Sequence, residues 1–270
     1  MTRREWLCWV TAVFIGVEAG RVASAAAALS GATDLPFSAV RLIAWGCVVL
    51  LLRRPVATAI PAGHAMCVAL LAGVALMLLP LDRALFNLVA WALLSGGALF
   101  ALLASGWEPA ERRAGAVMLA IAAQGFLAKW AAILFECPIL AFDTALAGQF
   151  MQWVTPGSVW EGHAIRPPGG VGVTLYLACS SFANLSLVWL CFVSLAAIDG
   201  VVRHGRALMV VAGVSLVVVA VNTVRIVLMA QSLPMYEYWH YGRGGQMLAL
   251  ALSASTVALC SLGSRWAAAR

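Results

Sequence analysis

Charged side chains are scarce in this sequence of 270 residues. Asp, Glu, Lys and Arg together make up 10% of the chain, whereas apolar residues make up 63%. Because a soluble domain carries about a quarter charged residues, the composition excludes a water-soluble enzyme or binding module. The net charge of +6 comes mainly from arginines at the ends of apolar runs. Such arginines orient a protein in the lipid bilayer, and we predict no nucleic-acid partner.

Paired cysteines are also missing. The seven cysteines are scattered singly, mostly inside apolar runs, at positions 8, 47, 67, 137, 179, 191 and 260. None belongs to a Cys-x-x-Cys motif, and the cysteines and histidines of the sequence form no set of four at the spacing of a zinc site. We therefore predict neither a metal site nor a cofactor, and we expect most of these thiols to be small buried apolar side chains.

Long apolar runs occupy most of the chain, at about 6–29, 37–52, 63–80, 84–104, 114–137, 170–198, 207–230 and 244–263. A membrane-spanning helix needs about 20 apolar residues, and the short alternating strands of a closed barrel are absent. The predicted fold is all-α, a polytopic transmembrane bundle of about eight spans that forms a single integral membrane domain over 1–270. We expect the first span to be retained, although Ala23-Ser24-Ala25 resembles a signal-peptide cleavage site.

The distribution of arginines predicts the orientation of these spans. With the N-terminus inside, ten arginines fall in cytoplasmic segments and four fall singly outside, at positions 41, 83, 166 and 243. This asymmetry follows the positive-inside rule. We predict that both termini are cytoplasmic in a multi-pass protein of the cell (inner) membrane.

The longest segment between apolar runs, about 138–169, is predicted to lie outside as an interfacial loop. Trp153 and Trp160 within it favour the depth of the lipid headgroups. The segment is interpreted as an interfacial re-entry loop, or alternatively as a lid over a site in the outer leaflet.

Ionisable residues inside apolar spans are costly and each requires a reason. Glu18 and Arg21 are three residues apart and can pair on one helix face, and Lys129 and Glu136 are two turns apart. These are interpreted as structural pairs, with a substrate pathway as the alternative.

Arg225 has no acidic residue within two helical turns, so it needs an acceptor from another helix or from a substrate. It lies about 9 Å below the predicted outer surface, and Cys179, about nine residues into the sixth span, lies about 13 Å below it. His240 falls in the outer connection between the seventh and eighth spans. The topology therefore predicts that the three residues converge in one leaflet.

Such a trio can perform acyl transfer through a thioester. A cation shifts a nearby thiol toward the nucleophilic thiolate, histidine moves protons, and arginine stabilises an anion. Each residue also has a structural explanation, as a packing thiol, an interfacial anchor or a partner of backbone carbonyls. His163, in the outer loop, is the alternative proton-transfer residue.

Three motifs in order resemble the exosortase/archaeosortase family: Ala178-Cys179-Ser180-Ser181, Asn222-Thr223-Val224-Arg225 and a downstream His240. The resemblance covers a predicted catalytic core of about 157–245. It implies a membrane-embedded cysteine transpeptidase whose active site faces the extracytoplasmic side. Cys179 is then the nucleophile, His240 the acid/base and Arg225 the stabilising cation, with Asn222, Ser180 and Ser181 in substrate binding.

The resemblance also implies the partners. Substrates of the family are exported proteins with a C-terminal sorting signal, namely a short motif, a transmembrane helix and a basic cluster, and many members are associated with exopolysaccharide production. Ser181 replaces the family's glycine, and Phe182-Ala183-Asn184 lacks a following arginine. These departures indicate a divergent subtype with its own sorting signal or, as the alternative, an inactive relative.

Two other functions remain open from the sequence. One is a transporter or channel subunit for an anionic substrate, lined by Arg225, Lys129 and Glu136. The other is a non-catalytic subunit of a polysaccharide-export assembly, held by packing of small residues such as Gly96-Gly97.

Overall fold

The computed structural model describes residues 3–27, 35–53, 95–96, 98–99, 102, 108–201 and 203–269. This part of the chain is mostly helical, as predicted. Its elements in chain order are α1 (Arg3–Ala27), α2 (Leu35–Leu52), α3 (Pro109–Ala122), a π-helical segment (Ala123–Leu127), α4 (Ala128–Leu134), α5 (Glu136–Val154), α6 (Ser181–Asp199), α7 (His204–Gln231), α8 (Leu233–His240) and α9 (Arg243–Ala268).

By length and composition, four described helical stretches can cross a membrane: Pro109–Leu134, Ser181–Asp199, His204–Gln231 and Arg243–Ala268. Shorter apolar helices, Trp6–Ala19 and Val40–Leu52, fall on the first two predicted spans. The third predicted span, about 63–80, and most of the fourth, about 84–104, lie outside the described residues. The chain is a membrane protein on this evidence, and the count of about eight spans stays a prediction.

A small antiparallel sheet corrects the all-α prediction. Its strands are β1 (Val159–Glu161), β2 (Ala164–Arg166) and β3 (Val173–Thr174), in the order β1-β2-β3. Glu161 pairs with Ala164 across a two-residue turn, in which Gly162 adopts a left-handed φ of 57°. Glycine reaches this conformation without a steric penalty, so the sequence suits a tight hairpin.

Two predicted boundaries near this sheet are wrong. Residues 138–154 of the predicted outer loop belong to helix α5, and the sixth span begins at Ser181 rather than at about 170. The apolar run after Gly170 has the two-residue alternation of a strand: Val173 and Leu175 are buried, while Thr174 and Tyr176 are exposed. Hydrophobicity alone does not separate such a strand from the start of a helix.

Two compact units make up the chain, and the first consists of Met1–Phe126, Leu190–Val202 and Ala268–Arg270. Within it, Arg41 of α2 donates to Glu18 of α1 over 3.1 Å and to Gln124 of the π-helical segment over 2.8 Å. Glu18 therefore has a partner on a neighbouring helix, whereas it was predicted to pair with Arg21, whose side chain lies outside the described residues. The burial cost of this carboxylate is offset within the first unit.

The second unit, Leu127–Trp189 with Arg203–Ala267, holds the sheet and most of the predicted catalytic core. One face of the sheet packs on α5 and α7, with Ile165, Val173 and Leu175 in the same buried cluster as Met151 and Ile226. The loop before β3 also reaches the end of α7, since Val171 donates its N–H to the Ala230 carbonyl over 3.1 Å. These contacts position the chain that leads from β3 to Cys179.

Candidate active site

Cys179 occupies the turn between the sheet and α6. It ends a short 3-10 helix, Leu177–Cys179, and its N–H donates to the Tyr176 carbonyl over 2.8 Å. The residue therefore lies just before α6 begins at Ser181, and its predicted position about nine residues into a span is wrong. The thiol is 8% exposed, so it combines burial with a position at the end of a membrane helix.

His240 faces this thiol. Nε2 of His240 lies 3.4 Å from Sγ of Cys179, within hydrogen-bond distance for sulfur. The imidazole stacks on Tyr236 at 5.0 Å between ring centroids and meets Tyr241 edge-on at 4.2 Å. The ring is therefore held by aromatic neighbours in an orientation that directs Nε2 to sulfur, and the described part of the chain shows no such contact from His163.

Arg225 lies on α7 beside the same pair. Its Nε donates to the Trp239 carbonyl over 3.1 Å, which joins α7 to the end of α8. The predicted acceptor from another helix is thus a backbone carbonyl. Of the five guanidinium N–H donors, this bond uses one, and the terminal amino groups have no partner within the described ranges. They remain able to bind an oxygen that carries negative charge.

A buried network fixes the backbone around Cys179. Nδ2 of Asn222 on α7 donates to the Cys179 carbonyl over 3.0 Å and to Oγ of Ser181 over 3.1 Å. The N–H of Ser181 donates to Oδ2 of Asp143 on α5 over 2.8 Å. Asn222, Ser181 and Asp143 are each at most 3% exposed. Because groups on α5 and α7 hold both sides of the turn, the thiol has a defined position.

These contacts bear on the three predicted substrate-binding residues. Asn222 and Ser181 use their polar groups inside the protein, and Oγ of Ser180 donates to the Leu177 carbonyl over 2.8 Å. All three are nearly inaccessible to solvent. These hydrogen bonds give the three residues a positioning role around Cys179, and their part in substrate binding stays a prediction.

Sequence reasoning missed Asp143. It falls inside the segment predicted as an outer loop, where a carboxylate is expected to be solvated and needs no partner in the protein. Its signal was present nonetheless: an acid among Phe142, Thr144 and other weakly polar neighbours needs a partner wherever that segment folds against a core. The partner is the first N–H of α6, one of the donors that a helix leaves unpaired at its N-terminus.

Burial dominates the electrostatics of the pair. Burial raises the pKa of the Cys179 thiol from 9.0, and the Arg225 guanidinium and the hydrogen bond involving Tyr176 only partly oppose this rise. Burial and Arg225 both lower the pKa of His240. The resting pair is therefore a neutral thiol and a neutral imidazole near pH 7, contrary to the expectation that the cation shifts Cys179 to the thiolate.

The neutral pair also defines the position of the imidazole proton. If Sγ donates to Nε2, the proton of His240 resides on Nδ1. Nδ1 is buried without a hydrogen-bond partner among the residues that the structure describes. This arrangement disfavours a lasting imidazolium and suits a base that accepts a proton only during reaction.

Tyr176, Tyr236 and Tyr241 form an aromatic wall beside the Cys179–His240 pair. Burial raises the pKa of the Tyr236 phenol, with Tyr241 next in effect and smaller contributions from Cys179 and Tyr176. Tyr176 and Tyr241 are 66% and 72% exposed. The aromatic wall thus presents exposed ring surface next to the Cys179–His240 pair.

Comparison with models of protein families, with curated protein sequences and with solved structures gave no match to this chain. No group of three or more His, Cys, Asp or Glu side chains that could hold a metal ion occurs in the described parts of the chain. The function therefore has to be argued from the site itself.

Replacing Asp143 tests the network. Asp143→Ala leaves the buried N–H of Ser181 without an acceptor, and we expect a loss of about 1–3 kcal/mol in the free energy of unfolding. The adjacent Thr144→Val is the matched control, because the buried Oγ1 of Thr144 has no hydrogen-bond partner in the part of the chain described. Denaturation in detergent measures the free energy of unfolding of both variants. Equal stability of the two would contradict the role of Asp143 as the acceptor for the Ser181 N–H.

The state of the thiol is tested by its reaction with a small neutral alkylating reagent as pH is varied. Because burial raises the pKa of Cys179 above 9.0, modification stays slow at pH 7 and accelerates above pH 9.0. Arg225→Gln removes a charge that lowers this pKa, so its profile moves to still higher pH. Arg265→Gln, near the far end of α9, controls for net charge. Rapid labelling at pH 7, followed by mass spectrometry, would contradict a neutral resting thiol.

Proposed function

We propose that this chain is a membrane-embedded cysteine transpeptidase of the exosortase type, which cleaves C-terminal sorting signals of exported proteins. The observation that carries the proposal is the 3.4 Å contact between Sγ of Cys179 and Nε2 of His240. A nucleophile and a base within hydrogen-bond reach are the minimum for covalent acyl transfer. Arg225 lies close enough to influence the pKa of both residues.

The first half of the reaction forms an acyl-enzyme. Nε2 of His240 takes the thiol proton as Sγ attacks the carbonyl carbon of the scissile peptide bond. The oxygen of this carbonyl becomes negative in the tetrahedral intermediate, and the free terminal amino groups of Arg225 stabilise it. The imidazolium then donates the proton to the leaving amine as the C–N bond breaks, which leaves a thioester on Cys179.

The second half returns the enzyme to its resting state. An acceptor amine, or water, attacks the thioester carbon while His240 takes a proton from the attacking group. The C–S bond breaks, and the imidazolium returns its proton to sulfur. Proton and electron balance is complete without a metal or a cofactor, and transfer to water instead of an amine makes the same site a protease.

The position of the site suits a substrate that is anchored in the membrane. Cys179 lies two residues before α6, and His240 ends the short helix α8 that connects α7 to α9, so both lie in segments that adjoin helices long and apolar enough to cross the bilayer. A sorting signal whose own transmembrane helix lies in the same bilayer presents the adjoining peptide at this depth. The arginine asymmetry favours the extracytoplasmic side, in the cell (inner) membrane.

The competing functions have less support. A pathway for an anionic substrate requires Arg225 and Glu136 to line one route, but Glu136 is exposed at the start of α5. A non-catalytic assembly subunit gives no reason for a thiol and an imidazole to meet in a buried turn. The transpeptidase accounts for both residues and for the cation beside them.

Cys179→Ala tests the proposal. The variant is expressed beside a protein from the same genome that ends in a short motif, one apolar span and an arginine cluster, and the substrate's size is followed on a gel. We expect wild-type enzyme to trim the substrate and the variant to lose at least about 10³-fold in rate, because the nucleophile is gone. Cys191→Ala is the matched control, since Cys191 is also buried but lies within α6.

Both variants must reach wild-type levels in the membrane for the comparison to count. Unchanged trimming by Cys179→Ala would make this thiol a packing residue and would overturn the proposed function.

A further inference from the structure

Strand β3 forms an edge of the sheet. It pairs with β2 on one side only, through the pairs Ala164–Thr174 and Ile165–Val173. Leu175 donates its N–H to the His163 carbonyl over 2.8 Å, next to the Ala164–Thr174 pair. In an antiparallel ladder, successive residues of a strand direct their N–H and C=O groups alternately toward the paired strand and away from it. Thr174 therefore directs its own N–H and C=O away from β2, toward the outer edge.

Nothing in the described residues occupies this edge at Thr174. No hydrogen bond to its outward N–H or C=O occurs within the described chain, and the side chain is exposed. Unpaired strand groups of this kind are a template for another extended chain. The edge differs from the start of β3, where the preceding loop already bonds to the Ala230 carbonyl.

The edge leads directly to the nucleophile. Two residues after Thr174, the Tyr176 carbonyl accepts the N–H of Cys179. Tyr176 is 66% exposed, and it lies near enough to Tyr236 to act on that phenol, whose ring stacks on His240. The open strand edge at Thr174 is therefore about 7 Å of chain, at strand rise, from Tyr176 in the aromatic wall. Cys179 follows three residues later, at the end of the short 3-10 helix.

We propose that the outer edge of β3 at Thr174 is the substrate-binding site, and that it binds the peptide beside the scissile bond as an added β-strand. This inference rests on the proposed function and identifies how that function selects its substrate. The ligand is an extended polypeptide segment, bound through its main chain and delivered with one carbonyl at Sγ of Cys179. Main-chain pairing supplies affinity, while side chains on alternate residues supply specificity.

The chemistry of this edge explains why an unfolded segment is selected. Only an extended chain presents an N–H and a C=O at the spacing of a strand, so a helical segment in the bilayer cannot pair here. The transmembrane helix of a sorting signal is thereby excluded from this edge, and cleavage falls on the extended linker beside it. The exposed rings of Tyr176 and Tyr241 are then available to the side chains of the bound strand.

Thr174→Pro removes the outward N–H while leaving the β2 ladder intact, and an edge position with an outward N–H is where proline is tolerated in a sheet. We expect the KM for the trimmed substrate to rise about tenfold, with kcat within about twofold of wild type, because one ground-state hydrogen bond is lost. Thr174→Val keeps the N–H and replaces only the hydroxyl. Its KM should lie at least about fivefold below that of Thr174→Pro.

A second measurement uses wild-type enzyme and does not depend on the folding of a variant. The probe is a synthetic peptide of about ten residues, centred on the bond that mass spectrometry maps in the trimmed substrate. Single N-methyl groups are placed on successive amides. Strand addition at Thr174 predicts sensitivity at one amide, that of the substrate residue paired with Thr174, because the N–H groups of the residues on either side face away from the edge. Uniform sensitivity, or none, would overturn the proposal.

The outcomes separate this inference from the function on which it rests. If Cys179→Ala abolishes trimming but Thr174→Pro keeps the wild-type KM, the transpeptidase stands and the edge is not its binding site. If trimming continues in Cys179→Ala, both fall together. A loss of kcat alone in Thr174→Pro also contradicts the inference, because it would indicate damage to the catalytic pair rather than to binding.

Discussion

The amide of Asn222 bridges the Cys179 carbonyl and the Ser181 hydroxyl, and the arrangement of the site depends on this contact. The turn that carries Cys179 connects a strand to a membrane helix, and such a turn exposes backbone groups that helix and sheet leave unpaired. In a weakly polar environment each of these groups costs free energy unless it finds a partner. Asn222 from α7 and Asp143 from α5 provide partners, so the chain can place a thiol there in one defined position.

The same apolar surroundings set the chemistry of the pair. Burial raises the pKa of Cys179 and lowers that of His240, so each residue rests in its neutral form. In the proposed acyl transfer, charge develops only when a carbonyl carbon accepts the sulfur and a proton passes to Nε2. In that proposal Arg225 faces a negative oxygen instead of a resting thiolate, so its stabilising effect is larger in the transition state than in the ground state. Interactions of this kind accelerate the chemical step itself.

Composition was sufficient to predict a mostly helical membrane protein, because a chain with such an excess of apolar over charged residues lacks the polar surface of a soluble fold. The order and spacing of Cys179, Arg225 and His240 also indicated a common site. The contact between thiol and imidazole is three-dimensional, and it depends on the angle at which α8 leaves α7 after Ser232. No periodicity encodes that angle, so the convergence of the three residues could be predicted from the sequence but the geometry of their contact could not.

The boundary of the sixth span was predicted wrongly because a short apolar run is compatible with either a strand or the start of a helix. Val171 to Leu175 reads as the start of a membrane helix by hydropathy, yet its two-residue alternation belongs to a strand. Asp143 was missed because its segment was predicted to be an outer loop and its partner is a backbone N–H distant in sequence. Both errors concern residues that form or support the site, which is where local preference and global packing conflict most often.

In the proposed reaction, Cys179 carries the acyl group during turnover. The decisive experiment mixes wild-type enzyme with its substrate, quenches the reaction in acid within one turnover, and identifies modified peptides by mass spectrometry. We expect the peptide containing Cys179 to gain the mass of the upstream substrate fragment, and hydroxylamine to remove this mass, as expected for a thioester. Accumulation of trimmed product with no adduct on Cys179, or with an adduct on another residue, would contradict it.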